Sequence, residues 1–126
     1  MARKTMVSPQ STAIPPIGNL LVALPAATAD ERFTDILHRP GCRIERIVSH
    51  GQTTAVDRPY CQAHDEWVLV LAGAAQVNVE GTETVLSPGD HLFIPAHASH
   101  WVTFTAPDRP TVWLAVHIGE EETPPT

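Results

Sequence analysis

Residues 66–100, EWVLVLAGAAQVNVEGTETVLSPGDHLFIPAHASH, decide the fold of this chain. Val77 and Val79 alternate with Gln76, Asn78 and Glu80, and Gly81 closes the run, which is the period of a half-buried strand and not of a helix. Thr82 to Leu86 reads as the return strand and ends in the turn Ser87-Pro88-Gly89-Asp90. Glu66 to Ala72 is apolar on both faces, and His91 to Ile94 supplies another short strand. A carboxylate, Glu66, and an imidazole, His100, are thereby placed on two different strands.

The same period continues outward. Ile44 to Ser49, Gln52 to Val56, Ser99 to Thr105 and Thr111 to Ile118 bring the total to about eight short strands, the spacing of an all-β antiparallel sandwich or barrel. Twelve prolines and seven glycines punctuate the chain. One helix is expected ahead of the barrel, because Thr28 and Glu31 have capping-box spacing, Phe33, Ile36 and Leu37 form an apolar stripe, and Pro40-Gly41 stops it. The organisation that follows is a flexible N-terminal segment at 1–16, an N-terminal strand and helix packed on the barrel at 17–41, the barrel at 42–118 and a flexible tail at 119–126.

Composition excludes several classes. At 126 residues and 43% hydrophobic content, the chain makes one domain with its own core. A net charge of −6, with no basic cluster beyond Arg3 and Lys4, argues against nucleic acid as a partner. No apolar run approaches membrane-spanning length, and Leu20 to Leu24 is only five residues before Pro25. Two sparse cysteines, Cys42 and Cys61, read as free thiols in a reducing compartment, so the expected location is the cytoplasm.

Two motifs now resemble those of a known family, the cupins, and within it the small single-domain members. Gly51, Glu66, the six residues Trp67 to Ala72 and Gly73 fit the frame of the family's first motif; Gly89, Pro95 and His100 fit the second, with His97 where its second glycine usually stands. The likeness spans roughly residues 42–118, and the stretches RIERIVSHG, DEWVLVLAG and TVWLAVHIG look like one bacterial subgroup of the family. The resemblance implies an antiparallel double-stranded β-helix, the cupin jelly-roll barrel, a homodimer, and a divalent metal held by three histidines and a glutamate. Only Glu66 and His100 of that ligand set carry over; the two positions expected to hold histidine are Tyr60 and Gln62. Iron and zinc sites need three good protein ligands, and two do not suffice.

Other side chains near the motif offer to complete the set. Gln62 has a neutral carbonyl oxygen, Tyr60 a phenol, and His64 shares the strand parity of Tyr60, Gln62 and Glu66 unless a bulge or turn intervenes. Parity does not decide whether His117 faces inward, because both apolar sets of Thr111 to Ile118 look buried. The charged pair in Ile44-Glu45-Arg46-Ile47 breaks period two and requires a bulge or an inward charge. An inward Arg46 suits a substrate carboxylate, and an outward surface pair is the plainer alternative. His38 and His50 read as surface and turn positions, and for His64, His91 and His97 an ordinary surface or loop position is the plainer alternative.

Two functions follow. In the first, Gln62, His64, Glu66 and His100 hold iron, manganese, zinc or nickel, with Tyr60 and Glu66 as catalytic groups for dioxygenase, isomerase or lyase chemistry on a small organic metabolite. In the second, a metal-free pocket of Tyr60, Gln62, Glu66 and His100 binds a small ligand as a sensor without catalysis. A purely structural dimer is a third reading, and it leaves polar groups inside the barrel without a purpose. Trp67, Leu69 and Leu71, on the far face of the Glu66 strand, call for cover by the N-terminal segment or a second subunit.

Overall fold

The computed structural model describes residues 17–120, so the flexible segment expected at 1–16 and all of the tail expected at 119–126 except Gly119 and Glu120 lie outside the described residues. Eight strands run through this region: β1 (Arg32–Arg39), β2 (Cys42–Ser49), β3 (Asp65–Ala72), β4 (Ala75–Val79), β5 (Thr82–Leu86), β6 (His91–Ile94), β7 (His100–Thr105) and β8 (Thr111–Ile118). They form a five-stranded sheet in the order β1-β2-β8-β3-β6 and a three-stranded sheet in the order β5-β4-β7. Every pairing is antiparallel.

The core lies between the sheets. Val68 and Val70 of β3, Ala75 and Val77 of β4, Leu86, Ile94, and Trp113 and Ala115 of β8 form one buried cluster. Each large member removed from water contributes on the order of 1.5–3 kcal/mol. Strand β8 sits in the middle of the larger sheet and is buried along most of its length, which is why its sequence shows no polar face.

The helix expected over residues 28–40 is instead mostly strand β1. Its capping partners are used elsewhere: the Thr28 hydroxyl donates to the Asp30 carbonyl at 2.8 Å, and the Glu31 carboxylate accepts from the Ser49 hydroxyl. Residues 32–39 pair along β2 from Arg32↔Val48 to Arg39↔Cys42, with a register shift between Asp35 and Leu37. That irregularity gives Phe33, Ile36 and Leu37 their helix-like spacing on an edge strand exposed throughout.

Gln52–Val56, expected as a strand, is loop. Gln52 is committed to local pinning, its side chain accepting from the His50 N–H at 2.5 Å and donating to the Thr28 carbonyl at 2.9 Å. Thr54 reaches Val102 through one backbone bond and its hydroxyl, 2.8 and 2.9 Å, without propagating a ladder.

Strand β2 pairs with β8 in unbroken register from Cys42↔Ile118 to Ser49↔Thr111. With no bulge to relieve it, the charged pair splits across the sheet. Glu45 turns inward at 6% exposure. Arg46 turns outward, and its guanidinium donates to the carbonyls of Leu20 and Val22 at 3.2 and 3.0 Å, strapping the N-terminal stretch to the sheet's outer face.

His97, at the position where the second motif usually has glycine, adopts φ +69°. This is the left-handed region that glycine occupies without strain. The turn aims the His97 N–H at the Gln62 carbonyl, 2.6 Å away, and so fixes the approach to β3.

Candidate functional site

Alternation places the inward side chains of four adjacent strands on one rung at one end of the barrel. Arg43 of β2 lies opposite His117 of β8, His117 opposite Glu66 of β3, and Glu66 opposite Ile94 of β6. The facing sheet adds His100 at the start of β7. The chain before β3 adds Tyr60, whose N–H and carbonyl each bond His100 at 2.9 Å in an isolated bridge. Together they enclose a cavity of about 280 Å³ with an apolar floor that includes Val68, Val77 and Trp113.

Glu66 is the centre of the polar end. It is 7% exposed, accepts from the Gln62 amide at 2.8 Å, and has His100 Nε2 at 3.6 Å and His117 Nε2 at 3.9 Å. At these separations the imidazoles act as charge partners, and only Gln62 makes a hydrogen bond. Burial alone pushes the carboxyl up; His100, Gln62 and His117 outweigh it and hold Glu66 below its ordinary value. His100 answers in kind: burial disfavours its cation, but Glu66 and the Ala98 carbonyl, 3.1 Å from Nδ1, raise it above its ordinary value.

Tyr60 stacks on His100 with ring centroids 5.5 Å apart and an interplanar angle of 24°. Partial burial, then the charges of Glu31, Glu66 and Glu45, raise its phenol, so Tyr60 is a proton donor and not an anion. Glu31 stands at the cavity wall and is itself raised by burial, its hydrogen bond to Ser49 working in the opposite direction.

Of the residues singled out from sequence, Tyr60, Gln62, Glu66 and His100 line one cavity. His64 is not among its lining residues; the strand begins only at Asp65, so its parity does not extend back, and its Nε2 lies 2.8 Å from Nδ1 of His117. Three further residues that line the cavity were missed or left open: Glu45, Arg43 and His117. His117 Nε2 is 2.9 Å from Glu45, and Arg43 donates to the other Glu45 oxygen at 2.8 Å. The available signal was the charge inside the β2 run; it needed the β2–β8 register to become readable.

The donor set does not fit the divalent ion that the family resemblance implies. Gln62 turns an N–H toward Glu66, and His117 Nε2 is committed to Glu45. Among the described residues no three His, Cys, Asp or Glu side chains are grouped to hold a metal.

An eight-stranded antiparallel barrel with a small cavity between its sheets, polar at one end, defines the class. The chain belongs to the cupins: the family model described as a cupin domain matches residues 47–117. Among solved structures it is similar to a Ralstonia eutropha JMP134 protein proposed to be a mannose-6-phosphate isomerase, with 44% identity and a TM-score of 0.80 over 83% of this chain and 99% of that one. KdgF from a Halomonas species, at 22% identity and a TM-score of 0.64, covers 77% of this chain and 87% of its own. A cupin superfamily protein from Desulfitobacterium hafniense DCB-2, at 17% and 0.65, covers 77% and 84%. The last two likenesses speak to the fold alone. No curated protein matches the chain.

Proposed function

We propose that this cupin binds a small organic metabolite inside the barrel and transfers a proton on it without a divalent metal. The observation that carries the reading is the Glu66 carboxylate, kept anionic between Gln62 and His100 at the polar end of an otherwise apolar cavity. Glu66 accepts from a guest hydroxyl or amine, while the Tyr60 phenol and the His100 imidazolium are proton donors over the same space.

The phosphosugar suggested by the Ralstonia protein is not favoured here. A phosphate would meet Glu31, Glu45 and Glu66, and Arg43 is already paired with Glu45 at 2.8 Å and Asp35 at 3.7 Å. An uncharged or cationic guest suits that balance. In a thermal-shift screen, polyols, sugars and amines of cavity size should raise the melting temperature, and sugar phosphates should not. Iron, manganese, zinc or nickel bound stoichiometrically, and lost in His100→Ala, would overturn the reading in favour of a metal-dependent cupin.

We also propose a homodimer joined through β1. Phe33, Ile36 and Leu37 are 55%, 50% and 39% exposed on this strand, which among the described residues stands at the edge of its sheet. Light scattering should return twice the 13.7 kDa chain mass, and a monomer at all concentrations would refute it. Both cysteines are free in the structure and suit the cytoplasm, which cell fractionation checks.

A further inference from the structure

The polar end around Glu66 is not the only charged part of the cavity. Glu31, one residue ahead of β1, lines it as well, toward the other end of the larger sheet. Arg43, near the start of β2, shares the rung of His117 and Glu66, whereas Glu31 bonds Ser49, the last residue of β2. Between these two levels, the paired residues Phe33, Ile47 and Trp113 line the same cavity. A carboxylate therefore stands on each side of an apolar stretch.

An indole N–H only donates, so Ser49 Oγ accepts from Trp113 Nε1 at 3.1 Å and gives its single proton to Glu31 Oε2. Ser49 and Trp113 are buried, and they present Glu31 as a fixed acceptor. Among the described residues Glu31 has no other hydrogen bond and no ion pair, in contrast to Glu45, held by Arg43 and His117, and to Glu66, beside His100. Burial raises the Glu31 carboxyl even though the Ser49 bond works against it, and no cation offsets that cost. The charges of Glu31, Glu66 and Glu45 all act on the Tyr60 phenol, so a guest beside Tyr60 meets the three together.

We infer that Glu31 selects the guest: it takes an organic ammonium group against the Phe33 and Trp113 rings and leaves the guest's other end, a hydroxyl or amine, to Glu66. This rests on the reading of the cavity as a guest site and narrows the guest from neutral or cationic to cationic. An ammonium brings Glu31 both the missing counter-charge and N–H donors, and aromatic faces attract a cation while covering its carbon chain. A neutral polyol offers Glu31 a hydroxyl and leaves its charge unbalanced.

Aminopropanol, aminobutanol and aminopentanol, each paired with the diol of the same chain length in titration calorimetry, test the selection. At least one amino alcohol should bind the wild-type chain about tenfold or more tighter than its diol. Glu31→Gln, which keeps an oxygen for Ser49, should bring that ratio to within about threefold while the diol's affinity holds. Glu83→Gln removes the same charge from the exposed side of β5 and should leave the ratio intact. Diols that bind as tightly as their amino alcohols overturn the inference and leave the guest site standing, and this wild-type comparison decides even where a variant does not fold. A preference that survives Glu31→Gln, or falls equally in Glu83→Gln, overturns it too. Binding of no probe at all overturns the guest site itself.

Discussion

Gly73→Ala is expected to cost at least about 3 kcal/mol and lower the melting temperature by roughly 10 °C or more. A Cβ built at this position meets the side chain of Thr111, its Cα at 2.6 Å and the Pro110 carbonyl oxygen at 2.7 Å, and the residue has φ +90°. Two penalties coincide there, a backbone clash that no rotamer relieves and a conformation L-residues avoid. Thr111 cannot retreat, being fully buried with its hydroxyl bonded to the Ala74 carbonyl and N–H. Gly81→Ala is the control. Gly81 has φ +91° but open space around its Cβ, so that variant should lose only about 1 kcal/mol. Equal losses in urea melts would mean that the end of β3 does not abut the start of β8.

Glu66→Gln should weaken guest binding by about ten- to a hundredfold, the worth of a charge-assisted hydrogen bond in a buried site. It should also erase a specific pH signature. Glu66 is lowered from 4.5 in the folded protein, so its contribution is complete above that value and is lost as pH falls through the depressed pKa. His100 is raised from 6.5, so its contribution is complete below that value and is lost as pH rises through the elevated pKa. The two overlap fully between about 4.5 and 6.5. The stability difference between wild type and variant should be greatest throughout that window and decline well below and well above it; a difference that stays unchanged at both pH extremes would dissolve the ion pair.

Most of the barrel was legible because β3 to β8 carry local instructions: Val77 and Val79 alternate, Gly81 turns β4 into β5, and the Asp90 N–H reaches back to the Ser87 carbonyl at 2.8 Å. Strand β1 was not, since a solvent-exposed edge imposes no period on its sequence and a register shift imitates a helical one. The site divided in the same way. Glu66 and His100 were readable from motif spacing, and Tyr60 and Gln62 from the positions they fill. Glu45 and His117 meet across a strand pair seventy-two residues apart in the chain, a relation held in the β2–β8 register and in no local pattern.

Residues 50–64 bring Tyr60 and Gln62 to the cavity while belonging to no named strand, and, beside the Tyr60–His100 ring stack and the Cys61 thiol contact, main-chain bonds anchor them to His97 and His100. The main-chain anchors among them are indifferent to side-chain identity. Exchanging this span between homologous barrels should therefore transplant ligand preference onto an unchanged scaffold, making it the place where selection redirects recognition at least thermodynamic penalty.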